Sequence, residues 1–302
     1  MFSLKIRSTL VRALVFVAPL ACMDVQAGGT LDRIAQTKTL TIAHRESSIP
    51  FSYLDANKTP TGYSVELCLK IAEAIKRELH LPQLQIVYLP VTSATRIPAI
   101  MQGKADLECG STTNNAERRK QVAFTIPHFI ATVRMLVRTD SGIKNWTDLQ
   151  GKKVVTTKGT TTVELMAQRD KVRALNLALL EGADHAASFQ MVENGTAEAF
   201  PMDDVLLYGL RASAKQPAQF LIVGDPLSAE PYAIMLSRED AAFKTTVDRE
   251  IARIINDGEL VKLYDKWFRQ PIAPNNINMN MPMGFLLRSS LSFPNDKVGD
   301  SY

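Results

Sequence analysis

The chain has 302 residues, 46% hydrophobic and 22% charged, an ordinary globular balance whose length predicts two domains. Its formal net charge is only +4 and no basic run stands out, which argues against nucleic acid as a partner. After residue 30 no stretch is long and apolar enough to span a bilayer.

The first residues differ from the rest. Lys5, Arg7 and Arg12 precede the apolar run 13–22, and Val25-Gln26-Ala27 places small residues where a signal peptidase reads. This pattern predicts a secretory signal over 1–27, cut after Ala27, and hence an exported, periplasmic protein. Cys22 offers a rival reading as a lipid-anchored N-terminus, but Pro19 stands where such signals carry leucine. Once Cys22 is removed, Cys68 and Cys109 remain. Export would place them in an oxidising compartment where a disulfide can form; packing as two small buried apolar side chains is the alternative. Nothing spaces them as metal ligands, and no metal or cofactor is expected.

Leu31 to Thr37 reads as a short helical lead-in, and Thr39 to Ala43 as a compact strand followed by the polar loop His44 to Ser48. Ser64 is placed to cap a helix whose face is Val65, Cys68, Leu69, Ala72, Ile75 and Leu79. Leu84 to Leu89 is a strand, Thr95 to Gln102 a helix with Pro98 in its first turn, and Ala105 to Cys109 a third strand. Strand and helix alternating in this way predict a parallel sheet covered on both faces.

A second copy of the rhythm follows. Thr132 to Arg138 leads out of the first lobe. Trp146 to Leu149 is a helical turn, Lys153 to Thr157 a strand, Thr161 to Arg169 a helix, and Ala178 to Leu180 a strand. Asp184 caps a helix ending at Gly195; Ala197 to Pro201, Val205 to Arg211 and Leu221 to Val223 are strand, helix and strand. Tyr232 to Leu236 returns to the first lobe, where the helices Asp240 to Asn256 and Gly258 to Phe268 pack back. The expectation is α/β: two Rossmann-like lobes joined by two crossing strands. The first lobe covers 28–137 and 231–270, the inserted second lobe 138–230, and a surface-wrapping tail 271–302.

Particular residues carry a family resemblance. His44-Arg45-Glu46-Ser47-Ser48-Ile49-Pro50-Phe51-Ser52, followed by Gly62-Tyr63-Ser64, resembles the opening of extracellular solute-binding proteins for polar amino acids. Glu108-Cys109-Gly110-Ser111-Thr112-Thr113-Asn114-Asn115 with Glu117-Arg118 is similar to the glutamate/aspartate-binding branch of family 3. So are Gly159-Thr160-Thr161, Met202-Asp203-Asp204 and the tail containing Asn278-Met279-Asn280. The resemblance spans the whole mature chain. It implies a type II periplasmic binding fold, and a monomeric, soluble component of an ABC importer. That component would hand L-glutamate or L-aspartate to the permease subunits.

An α-amino acid asks three things of a cleft: donors for its carboxylate, an acceptor for its ammonium, and a pocket matched to its side chain. Arg118 follows the hydroxyl-rich loop Ser111-Thr112-Thr113 and is placed to begin a short helix. Its planar guanidinium suits a bidentate carboxylate, and the resemblance assigns it that role. Ser111 and Thr113 supply further donors. Thr160 and Thr161, beside Gly159 at a strand-to-helix turn, clasp the same carboxylate from the second lobe or serve as helix caps. Asp203 receives the ammonium by resemblance, with an N-cap as its alternative; Asp204 beside it is taken as solvated or capping. For the side chain, Arg45, Ser93 and Arg96 lie on loops at one sheet edge and His185 faces them across the cleft. Two arginines and a histidine are costly to desolvate without an anion, and a neutral side chain has no use for them. A proton on His185 would make acidic-ligand affinity fall as pH rises.

Enzyme readings find little support. Gly-x-Ser-x-Gly, a phosphate loop and His-Glu-x-x-His are all missing from the sequence. The remaining enzyme reading is a dehydratase of the same fold acting on prephenate-like acids, with Glu46 or Glu164 as the proton donor. A fused catalytic domain is not expected after the second lobe.

Overall fold

The computed structural model describes residues 29–273 and 275–297. The signal-like segment, its Ala27 boundary and Cys22 lie outside them. Two mixed sheets form the cores of two lobes. In the first the order is Gln85–Pro90, Thr39–His44, Leu107–Glu108, Met235–Leu236, Ala123–Phe124. Its first three strands run parallel, and Met235–Leu236 is antiparallel to both neighbours. In the second the order is Ala178–Gly182, Lys153–Thr157, Ala199–Asp203, Phe129–Arg138, Phe220–Val223.

The helix Tyr63–Glu78 shows how the pattern builds the first lobe. Val65, Leu67, Cys68, Ile71, Ala72 and Ile75 are buried along one side, and Lys76 and Arg77 complement the negative end of the helix dipole. Gly62, not Ser64, holds the N-cap position. Ser64 lies inside the first turn, and its hydroxyl donates instead to the Gly110 carbonyl at 2.8 Å. Cys68 on this helix and Cys109 beyond the third strand form a disulfide, which resolves the two readings left open. Cross-linking residues 41 apart in the chain stabilises the fold by about 3–4 kcal/mol through the unfolded state.

Two strands connect the lobes. Phe129–Arg138 pairs antiparallel with Ala229–Tyr232, matching Thr132 with Ala229 and Phe129 with Tyr232. The return crossing is not the single strand expected over 232–236. Ala233 N–H donates to the Thr112 carbonyl and Ile234 N–H to the Thr125 hydroxyl, so loop groups of the first lobe interrupt the ladder before Met235–Leu236 rejoins a sheet. An aromatic cluster anchors both crossings: Phe51 meets Tyr232 at 5.0 Å and Phe129 at 4.9 Å, and Phe129 stacks on Phe268 at 4.9 Å.

Other boundaries differ modestly. The helix expected to end at Arg169 runs Thr161–Arg173 and stops at Ala174 in the left-handed region. Its last turn is invisible to an apolar pattern, since Val172 there is exposed. The strand expected over 197–201 is Ala199–Asp203. The tail is bound to the body: Met281 N–H donates to the Phe268 carbonyl, and Met279, Met281 and Met283 pack against the main core. The helix Phe285–Ser292 lies on the crossing strand Phe129–Arg138, and Asp296 pairs with Lys244 at 2.8 Å. Among the described residues no helix is long and apolar enough to cross a membrane.

His128, at the root of the first crossing strand, is fully buried. Its Nε2 lies 3.0 Å from the Ser64 hydroxyl, which itself donates to Gly110, so Nε2 carries the hydrogen. Nδ1 is unpartnered, and burial pushes the pKa down to about 3. The unfolded chain therefore takes up a proton near pH 6.5 that the folded chain refuses. That stability, on the order of 5 kcal/mol, is present above pH 6.5 and lost as pH falls toward 3. His44 and His185 shift in the same direction. Urea melts between pH 7.5 and 4.5 should show a steep acid loss that His128→Asn partly flattens. An unchanged slope in the variant would remove His128 from this account.

Candidate functional site

The C-terminal ends of the strands and the loops that follow them converge between the lobes. There a cavity of about 180 Å³ is lined by Ser93, Arg96, Ser111, Thr113, Arg118, Thr160, Thr161, His185, Met202 and Asp203. Every nominated residue except Arg45 faces it. Arg45 stands behind His185, with its Nη2 3.4 Å from His185 Nε2, and lines an adjoining cleft of about 390 Å³ with Asp184 and Thr92.

The first lobe supplies the guanidinium groups. Arg96, at the start of the helix Arg96–Met101, is 2% exposed; its Nη1 donates to the Ser111 carbonyl and the Thr112 hydroxyl, and its Nε has no partner. Arg118 does not begin its helix. It lies inside Ala116–Arg119, where the Asn115 side chain caps its amide at 2.9 Å. Its Nη1 donates to the Thr113 carbonyl at 3.0 Å and its Nη2 reaches the Gly159 carbonyl of the second lobe at 3.3 Å. Each of these nitrogens carries a second hydrogen for a ligand. The Ser93 and Ser111 hydroxyls are buried without partners.

Asp203 and its neighbours form the opposite pole. Asp203 ends the strand Ala199–Asp203 and is 2% exposed. It makes no capping bond; Oδ2 accepts from the Tyr232 hydroxyl and Oδ1 is unpartnered. Asp204 is neither solvated nor only a cap: it accepts from the Thr132 amide and hydroxyl and ties its helix to the crossing strand. Glu230 on the return strand accepts from Thr161 Oγ1 at 3.1 Å and Ser228 at 2.7 Å. The Thr160 hydroxyl donates to the Thr157 carbonyl, so neither threonine side chain caps the helix Thr161–Arg173. That leaves the first amides of this helix without intrahelical acceptors, where Thr160 and Thr161 line the cavity.

The lobes touch across the cavity. Gly159 has φ +79°, and a Cβ there would lie 2.6 Å from Ala94 Cα, so only glycine permits this approach. With solvent displaced, the charges feel each other strongly. Burial and then Arg96 lower the pKa of both Arg45 and Arg118 to about 9. Burial and then Glu230 raise Asp203 well above the usual carboxylate range. Burial, then Arg45 and Arg96, hold His185 well below 6.5. Arg45 can only donate, so His185 Nε2 accepts and its Nδ1–H donates to Thr157 Oγ1 at 3.1 Å. In the unliganded cleft the His185 ring is therefore neutral.

Neither glutamate nominated for a dehydratase faces the cavity. Glu46 is exposed in the adjoining cleft, and exposed Glu164 is 3.4 Å from Gln168 Nε2 on the outer helix. The residues that sequence reading missed are Thr112, Tyr232, Glu230, Met202 and Glu108. Only Met202, Glu108 and Thr112 stood inside quoted motifs. Tyr232 and Glu230 carried no local signal, because pairing of two distant strands brings them to the site.

Comparison with known proteins agrees with this geometry. Residues 40–270 match the family described as bacterial extracellular solute-binding proteins, family 3. The chain is 45% identical over 294 residues to the L-glutamate/L-aspartate-binding protein of Pseudomonas aeruginosa, covering 97% of each. It is 42% identical over 294 residues to the glutamate/aspartate import solute-binding protein of Escherichia coli K12, covering 96% of this chain and 97% of that one. Among solved structures it is similar to a mutant of ArgBP from T. maritima, with TM-score 0.70 and 25% identity over 78% of this chain and 98% of that one. Both sequence relatives are named as binding proteins, and the two-lobed fold is the one the sequence pattern predicted. The chain belongs to family 3 of the bacterial extracellular solute-binding proteins.

Proposed function

We propose that this protein captures L-glutamate or L-aspartate in the interlobe cavity and delivers it to the permease subunits of an ABC importer. One observation carries the reading. Two buried arginines, Arg96 and Arg118, line a small cavity together with Asp203, whose Oδ1 has no partner, and a third buried arginine, Arg45, stands behind His185. Arg118, Ser111, Thr113, Thr160 and Thr161 would hold the α-carboxylate and Asp203 the ammonium. Arg96 with Ser93 would hold the side-chain carboxylate, backed by Arg45 and a neutral His185. A side-chain amide offers no charge to offset the desolvated guanidinium groups. The printed names of the two sequence relatives support the same ligand class. Thermal melts with glutamate, aspartate, glutamine, succinate and prephenate test it. Glutamate or aspartate should give the largest rise in Tm, by mass action on the folded state. A larger rise with glutamine, or consumption of prephenate, would overturn it.

The proposal includes a monomer exported to the periplasm, with the second lobe inserted in the first. Export would follow cleavage after Ala27, on the basic-then-apolar pattern of the first residues. Intact mass of the exported protein should begin at Gly28; a lipid-modified Cys22 would replace this with membrane anchoring.

A further inference from the structure

Glu108 is fully buried at the end of the strand Leu107–Glu108, beneath the arginine cluster. Its Oε2 accepts from the Thr112 hydroxyl at 2.6 Å, and that hydroxyl accepts from Arg96 Nη1 at 2.7 Å. Its Oε1 has no donor. Gly110 is the spacer between this carboxylate and Arg45: a Cβ there would lie 2.3 Å from Glu108 Oε1 and 2.9 Å from Arg45 Cγ. One carboxylate thus sits between the two arginines that would read an acidic side chain, bonded to Arg96 only through Thr112.

We propose that Glu108 is the resident counter-charge of the site: it holds the arginines in place when the cleft contains no anion, and it opposes the acidic side chain of the ligand when one binds. This rests on the acidic-ligand reading above. Buried guanidinium groups repel one another and lack water, so an unliganded cleft without a nearby anion is unstable. The same negative charge stands on the protein side of Arg96, and a ligand carboxylate must share Arg96 with it. Burial lowers the pKa of Arg45 and Arg96, and Glu108 opposes it more than any other group; around Arg118, Glu230 and Asp203 come before it. Glu108 therefore trades affinity for stability of the unliganded protein. A residue that merely packed the site would lower both stability and affinity when altered.

Glu108→Gln separates the two roles, because its amide oxygen can still accept from Thr112 while the charge is gone. The expected result is opposed changes. Tm of the unliganded variant falls by several degrees, while glutamate and aspartate bind about tenfold more tightly, as one like charge is removed at short range. Glutamine affinity stays within about twofold, so the glutamate-to-glutamine ratio rises. Should the variant not fold alone, refolding in excess glutamate should recover it and refolding in excess glutamine should not; no recovery in glutamate overturns the proposal. Equal weakening of glutamate and glutamine in a folded variant also overturns it, leaving Glu108 as packing. These failures are distinct from failure of the functional reading, which would appear as a wild-type protein that binds neither acidic amino acid.

Discussion

Arg118→Ala is expected to weaken every α-amino-acid ligand, by roughly 2–5 kcal/mol, or about 30-fold to several thousand-fold. Arg118 is buried, lies on the first-lobe wall of the cavity, and reaches the Gly159 carbonyl of the second lobe. Its removal would take away both a bidentate carboxylate partner and a bond that closes the lobes. Because all α-amino acids share that carboxylate, glutamate, aspartate and glutamine should lose affinity together. Calorimetry with each ligand checks this. A loss confined to the acidic ligands would move Arg118 from the shared carboxylate to the side chain.

Arg96→Ala should give the second large effect and a different pattern. Glutamate and aspartate should lose roughly 2–5 kcal/mol, while glutamine loses far less, so the discrimination between acid and amide collapses. The geometry behind this is an Arg96 Nε and a Ser93 hydroxyl that both lack partners, on two residues that line the cavity. Arg45→Ala should act in the same direction but more weakly, since Arg45 faces the cavity only through His185. His185→Ala should cost less than either, because the ring is neutral. Equal losses for glutamate and glutamine in Arg96→Ala would mean that this arginine supports the fold or the shared carboxylate.

Much of the fold was legible because its signals are local. The strand Lys153–Thr157, the turn Trp146–Leu149 and the Asp184 cap on Ala187 N–H follow from short apolar runs and capping chemistry. Ser64 misled because a serine before an apolar face has two uses, and here its hydroxyl serves a distant carbonyl while Gly62 takes the cap position. The return crossing misled because Thr112 and Thr125 claim the amides of Ala233 and Ile234. No local pattern encodes such a claim. The site residues were legible as charges and hydroxyls on loops at the strand ends. Their states were not: a neutral His185, an Asp203 with one bonded and one free oxygen, and a carboxylate under the arginines all depend on burial and on partners far away in the chain.

A desolvated arginine cluster should select an acidic side chain over its amide. Calorimetric titration of the mature, ligand-stripped protein with L-glutamate and L-glutamine under identical conditions tests it most directly. Glutamate should bind at least about 100-fold tighter, the scale expected when a charged partner of a buried guanidinium is replaced by a neutral one. Glutamine binding as tightly as glutamate, or more tightly, would contradict it.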